Sequence, residues 1–196
     1  MYRPLMLLLL SSAFVSIPST SISQEACDAP YIASDVGLST GSNLPEDVAA
    51  ATRAALIGRC FDSPTDAELV ASIQRVLHDM GYLRATVSAP SMTLVNMSRY
   101  PQRASLSFTV HEGPRAQVQE IEVAGNNLID ADRIRSVIQV PLGESLDMSR
   151  VRESSRSIQR LYRANGFSKM TFKQMIEFST ERKVRVIFQI NEGPRS

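Results

Sequence analysis

The sequence predicts an α+β fold: two tandem β-α-α-β-β modules, each a three-stranded sheet with two helices packed on one face. Three observations carry that prediction. Runs that alternate apolar and polar residues mark strands buried on one face, and segments with apolar residues three and four apart mark amphipathic helices. The order of these segments occurs twice. The two copies also keep a constant offset: Gly58 and Gly143, Asp62 and Asp147, Ile73 and Ile158, and Gly81 and Gly166 all lie 85 residues apart. Val36 and Leu38 fall 85 before Ile121 and Val123, whereas Gly113-Pro114 and Gly193-Pro194 are 80 apart, which puts five extra residues in the last hairpin of the first copy. Chance can give one such match. A fixed offset across glycine, helix core and strand, with one localised shift, is a repeat.

Taken in order, the chain begins with a leader. Arg3 precedes an apolar run from Leu5 to Ile17, Pro18 breaks the run, and Ser21 and Ser23 supply small residues for cleavage before Gln24. Thirteen residues reach about 20 Å as a helix, short of a hydrocarbon core of about 30 Å. We expect a signal peptide at 1–23, a first module at 24–116 and a second at 117–196. In the first, Tyr31, Ile32, Val36 and Leu38 suggest a strand. Asn43 and Pro45 open a helix that Gly58 ends. Ser63 as cap and Pro64 at the first helical position open a second helix, whose apolar face is Leu69, Ile73, Val76, Leu77 and Met80 and whose end is Gly81. Leu83, Ala85 and Val87 alternate until Pro90, and a polar connection through Arg99, Pro101 and Arg103 leads to Leu106, Phe108 and Val110.

The second module starts with Val118, Ile121 and Val123 and turns at Gly125-Asn126-Asn127. Asp130 opens a helix through Ile134, Val137 and Ile138, and Asp147 caps a longer one carrying Val151, Ile158, Leu161 and Tyr162. Met170, Phe172, Ile176 and Phe178 share one parity, as do Val184, Val186, Phe188 and Ile190, with a hairpin loop at 179–182.

Composition narrows the function. The chain is 43% hydrophobic and 21% charged with net charge +1, which is globular and gives no footprint for bulk nucleic-acid binding. Residues 24–116 hold 7 basic and 10 acidic side chains, against 13 and 10 in 117–196, so only the second module is basic. His78 and His111 are the only histidines, too few for a zinc site, and no Gly-x-Ser-x-Gly or phosphate-loop pattern occurs. No enzyme, cofactor or metal is expected. Cys27 and Cys60 are the only cysteines. In an exported chain the simplest reading pairs them as a disulfide; a lipidated Cys27 and two free thiols are the alternatives, and Gln24-Glu25-Ala26 lacks the aliphatic residue a lipoprotein signal wants.

Several motifs carry a family resemblance. They are Ile121-Glu122-Val123-x-Gly125-Asn126, the Leu146-Asp147 helix start, Leu161-Tyr162-x-x-x-Gly166-Phe167, and Val186-x-Phe188-x-Ile190-x-Glu192-Gly193-Pro194. The first copy keeps Gly81-Tyr82 and Phe108-x-Val110-x-Glu112-Gly113-Pro114 but has no glycine-asparagine turn after its first strand. The chain resembles POTRA (polypeptide-transport-associated) domains, of the type found before barrels in outer-membrane barrel-assembly proteins and two-partner-secretion transporters. The resemblance implies a non-enzymatic periplasmic module near the outer membrane that binds protein clients or a barrel partner. No residues follow Ser196 here to build a barrel. A stand-alone pair, a barrel on a separate chain and a truncated sequence all fit that.

A sheet shielded on one side has edges with unpaired backbone groups, and an extended client can add there. The resemblance places that edge on the strand after the long helix, about 168–178 and 83–89. Lys169, Thr171, Lys173, Met175 and Glu177 are the candidate partner-binding residues, and proline at Thr171 or Lys173 is the expected way to block them. Arg152, Arg156, Arg160 and Arg163 form one helical stripe. It is a solvated face on the simpler reading, and a dock for acidic lipid headgroups or an acidic partner on the sharper one. Glu112 and Glu192 precede Gly-Pro and are read as orienting the turn into the linker. The competing function is a structural envelope adaptor, a spacer that links partner proteins without binding clients; a retained leader would favour it.

Overall fold

A computed structural model describes residues 27–41 and 44–195. The expected leader with its cleavage before Gln24, the cap at Asn43 and the terminal Ser196 lie outside the described residues. The first module runs β1 (Tyr31–Thr40), α1 (Glu46–Ala54), β2 (Cys60–Phe61), α2 (Ala67–Asp79), β3 (Thr86–Val87), β4 (Ser91–Asn96) and β5 (Gln102–His111). The second runs β6 (Gln117–Ala124), α3 (Ala131–Arg135), α4 (Met148–Ala164), β7 (Thr171–Phe178) and β8 (Lys183–Asn191).

Both sheets share one plan. The first strand lies parallel to the last, β1 on β5 and β6 on β8, because two helices intervene as a crossover. The strand after the long helix pairs antiparallel with the same last strand, which becomes the centre of the sheet. The register shifts match as well. One falls between Ala33 and Asp35, the other between Val118 and Glu120, again 85 apart. Glycine φ angles match in pairs: +82° and +80° at Gly58 and Gly143, +92° and +89° at Gly81 and Gly166, +63° and +64° at Gly113 and Gly193. Such angles suit only a residue without Cβ, so the spacing of these glycines is the spacing of the turns.

The outer strand of the first sheet differs from expectation. It is broken into β3 and β4, both on β5, and the added β2 caps the start of β1. Between Val87↔Val110 and Ser91↔Ser107 the first copy holds residues 88–90; between Phe172↔Ile190 and Met175↔Ile187 the second holds only 173 and 174. One extra residue therefore sits at Pro90, which has no N–H to give a ladder. The other four lie beyond Leu94↔Ala104, whose counterpart is Phe178↔Val184. The hairpin tip of the first module is correspondingly long.

Helix starts also moved. Asp66, not Ser63, caps α2, accepting from Glu68 N–H at 2.9 Å, so Pro64 lies before the helix in a turn where Ser63 Oγ accepts from Thr65 N–H at 3.2 Å. A carboxylate is the stronger acceptor for those first donors. Asp130 and Asp147 do the same at 2.8 and 2.7 Å. α1 stops at Ala54, and the helix expected through Ile138 is the five-residue α3; Val137 and Ile138 follow in turns closed on Ile134 and Arg135.

Each pair of helices covers one face of its sheet. The first core joins Val48, Leu69, Ile73 and Leu77 to Leu106, Phe108 and Val110. The second joins Ile134, Val151, Ile158 and Tyr162 to Val184, Val186, Phe188 and Ile190. The modules meet at a built junction. Ala116 N–H donates to Gly81 O and Leu146 N–H to Ala116 O, both at 2.8 Å. Arg115 Nε donates to Met80 O at 2.8 Å, and its guanidinium stands 5.7 Å from the Tyr82 ring. Leu83 of the first module packs against the second core.

Candidate functional site

The candidate edge is β7. It follows α4, whose cap and apolar stripe fix it over the sheet, and the Gly166-Phe167 turn delivers the chain to the sheet margin. Among the described residues β7 pairs only with β8. The hairpin sets which of its backbone groups are spare. Ser179 N–H donates to Lys183 O at 2.8 Å, and the ladder then runs in step to Thr171↔Asn191. Antiparallel strands alternate between bonded and unbonded pairs, so Glu177, Met175, Lys173 and Thr171 bond inward to β8. The N–H and C=O groups of Phe172, Gln174, Ile176 and Phe178 point outward. Proline at Thr171 or Lys173 would thus remove an inner ladder bond, not an outer one, and Lys169 lies before the strand. The side chains of Thr171, Lys173, Met175 and Glu177 stand on the sheet face away from the helices, those of Thr171, Lys173 and Glu177 exposed.

On the helix side of this edge Gln174 Oε1 accepts from Ser155 Oγ at 2.6 Å, tying the strand to α4. At its end the Arg84 guanidinium of the first module lies 4.6 Å from the Phe178 ring centroid. Phe178, which shares the parity of Phe172 and Ile176, is 43% exposed under that cation. The opposite margin, β6, is capped at its start: Gly143 N–H donates to Val118 O, Val118 N–H to Glu144 O, and Gln117 bridges Ser145.

The arginine stripe is mostly spent inside the chain. Arg152 makes a bidentate pair with Asp79 of α2, at 2.7 and 3.1 Å, across the junction. Arg156 and Arg160 share Glu153, at 3.4 and 2.8 Å. The hydrogen bond from Arg160 leads the causes that hold the Glu153 carboxyl below its usual range. Neither Arg84 on Phe178 nor Asp79 with Arg152 was foreseeable from periodicity, because each joins residues more than 70 apart across two modules.

Cys27 and Cys60 form a disulfide, with Cα atoms 6.0 Å apart and a sequence separation of 33. It ties the start of the described chain to β2. Glu192 is buried, and its Oε1 accepts from the backbone N–H of Asn127 and Leu128 at 3.0 Å each and from Tyr162 Oη at 2.9 Å. Burial, with that bond to Glu192, raises the Tyr162 hydroxyl well above its ordinary range, so it remains a donor. The carboxylate therefore locks the glycine-asparagine turn to the end of β8. No group of three or more His, Cys, Asp or Glu among the described residues is placed to hold a metal ion. No helix among them is long and apolar enough to cross a membrane.

The POTRA family model, described as surface antigen variable number repeat, matches residues 116–193. No curated protein matches the chain in sequence. Among solved structures it is similar to POTRA domains 3–5 of BamA from Haemophilus influenzae, at 15% identity and TM-score 0.52, covering 82% of this chain and 61% of that one. It is also similar to BamA from Haemophilus ducreyi lacking POTRA domains 1–3, at 20% identity and TM-score 0.54, covering 82% and 29%. POTRA domains 1–2 of the periplasmic domain of Omp85 from Anabaena align at 15% identity and TM-score 0.52, covering 84% and 97%. The chain thus spans less than two thirds of the two BamA chains and nearly all of the Anabaena pair. Residues 116–193 thus match the POTRA family, and the two sheets together have the fold of a tandem POTRA pair.

Proposed function

We propose that this chain is a non-enzymatic periplasmic protein-binding pair, associated with the outer membrane, that supports outer-membrane protein assembly or protein secretion. It does so by taking an extended segment of a client or partner chain onto the outer edge of β7. The same reading divides the chain into a leader at 1–23 removed on export, a first module at 24–116 and a second at 117–196.

The outward row of main-chain groups at Phe172, Gln174, Ile176 and Phe178 carries the proposal. An eight-residue strand with one free side offers main-chain hydrogen bonds without demanding a guest sequence. That suits clients whose strands differ from one another but all alternate apolar and polar residues. Thr171, Lys173 and Glu177 keep the adjoining face polar, which discourages two copies from pairing edge to edge.

The test separates the outward N–H from its side chain. Gln174→Pro removes the N–H; Gln174→Ala removes only the bond to Ser155. Binding of an extended peptide with outer-membrane-strand patterning is read by fluorescence anisotropy. The proline variant should bind at least about tenfold more weakly, a difference of about 1.4 kcal/mol, while the alanine variant stays within about twofold. Equal binding by wild type and Gln174→Pro, with unchanged circular dichroism, refutes the β7 edge.

The adaptor reading draws support from the junction. Ala116, Arg152 and Leu83 all fasten one module to the other, as a spacer of fixed angle requires. It expects no peptide binding by either variant or by wild type.

A further inference from the structure

We propose that the long hairpin tip of the first module, residues 95–103, is a docking surface for an anionic phospholipid bilayer. The two copies diverge most here. The second module closes the matching hairpin with Ser179-Thr180-Glu181-Arg182. The first uses four more residues, and these put large apolar side chains in solvent: Val95 is 62% exposed, Met97 71% and Tyr100 70%. Three of the seven large exposed hydrophobics in the described residues thus fall within six consecutive positions. Scattered exposed apolar residues need no explanation; a cluster on a protruding turn does.

Charge complementarity selects the partner. Arg99 lies among the apolar residues and Arg103 just beyond them, both exposed. Neither forms an ion pair among the described residues, whereas Arg53, Arg59, Arg135, Arg150, Arg152 and Arg185 all do. From Met80 to His111 the sequence contains no Asp or Glu, so the whole hairpin is without negative charge. Arg99, Arg103, Asn96 and Tyr100 line one hollow with Ile32 and Pro101. A phosphodiester is the anion that fits there while Met97 and Val95 reach the acyl boundary. Two cations beside a few apolar residues, with tyrosine among them, is the composition that favours the interface of an anionic bilayer.

The tip is also held in place. Tyr100 Oη donates to Asp28 O at 2.8 Å, and Gln102 N–H donates to Pro30 O at 2.8 Å, beside the disulfide at Cys27. A tip fastened at its base loses little freedom on docking. The surface is separate from β7, so one module meets lipid while the other keeps its edge free.

Residues 27–195 hold both cores, so the chain beginning at Gln24 is the form to test; the apolar leader would bind lipid by itself. Co-sedimentation uses vesicles of phosphatidylcholine with about one-third phosphatidylglycerol, and of phosphatidylcholine alone. Binding should require phosphatidylglycerol, weaken about fivefold for each of Arg99→Gln and Arg103→Gln, and weaken at least about tenfold for Val95→Ser with Met97→Ser. An environment-sensitive fluorophore on Met97→Cys should shift to the blue with the anionic vesicles, and one on Glu181→Cys should not. The probe pair decides the matter even where a serine variant misfolds. Absence of binding, wild-type binding by the tip variants, equal binding to neutral vesicles, or loss of binding in millimolar inorganic phosphate at constant ionic strength overturns the proposal. Capture of a protein partner through the tip, with no vesicle binding, overturns it too.

Discussion

Replacing Glu192 tests the turn lock that shapes the second module. One carboxylate, 6% exposed, accepts from two backbone N–H groups and one buried hydroxyl. A hydrogen bond to a charged group contributes about 1.5–3 kcal/mol, and a buried donor left without a partner costs about 1–3. Glu192→Ala orphans three donors, of which Tyr162 Oη is fully buried, so the loss should be about 3–5 kcal/mol, limited by water reaching Asn127 and Leu128. Glu192→Gln keeps one acceptor oxygen and the volume; it should cost about 1–2. Tyr162→Phe removes a single donor and should cost about 1, and the cycle of the two should show coupling of about 1. Urea unfolding followed by circular dichroism gives these numbers, and hydrogen exchange at Asn127 and Leu128 reports the lock directly. A Glu192→Gln variant as stable as wild type, with those two amides exchanging no faster, refutes the reasoning.

Other outcomes follow from the same geometry. A Cβ at Gly81, where φ is +92°, would lie 2.5 Å from Leu146 O across the junction, so Gly81→Ala should lose at least about 2 kcal/mol; Gly143→Ala, with open space around it, should lose only about 1 for the left-handed backbone, and equal losses in urea unfolding would contradict the contact. Burial pushes the Asp147 carboxyl up, but the Ser149 side chain, the Ser149 and Arg150 backbone and the Arg150 charge outweigh it and hold the carboxyl below its ordinary value. Its stabilising effect is therefore complete above the unfolded pKa of about 4 and is lost as pH falls through the lower folded value; Asp147→Asn should cost about 1 kcal/mol at neutral pH and flatten that acid limb of a stability-versus-pH curve. Removing the disulfide by Cys27→Ser with Cys60→Ser opens a loop of 33 residues and should lower stability by about 3–4 kcal/mol on the chain-entropy argument, with thermal unfolding as the measurement.

The fold was legible wherever local chemistry leaves no choice. Glycines at Gly58, Gly81, Gly113 and their partners mark backbone that only glycine tolerates, so their spacing transmitted the repeat intact. Parity did the same for Leu106, Phe108 and Val110, whose burial is near total. Asp147 is legible as a cap, whereas the sequence points to Ser63 where Asp66 caps, because a hydroxyl and a carboxyl lie within one turn and sequence cannot say which meets an amide. The broken outer strand was half visible in Pro90. The candidate site was least legible. Alternation shows which side chains share a face; only the Ser179–Lys183 bond shows which N–H groups face outward. The arginine stripe read as a surface feature because Asp79, its partner, belongs to the other module.

Divergence between the copies supports a division of labour. Duplicated modules begin with equal margins, and each here keeps the same partial cap on its parallel margin: Ile32↔Cys60 in the first, Gln117↔Ser145 in the second. Their antiparallel margins have parted. The second keeps eight unbroken residues, long enough for a guest strand of ordinary length. The first is cut by Pro90 into two residues and six, so a guest meets a kink after the second pair. Where the first module has a broken edge it also has a long tip, since four of its five extra residues lengthen the hairpin. Arg84 links the modules at this margin, because it comes from the first module and lies over Phe178 at the end of β7. A guest on β7 would meet that cation at its terminus. Arg84→Ala should therefore alter peptide binding at β7 while leaving both cores intact.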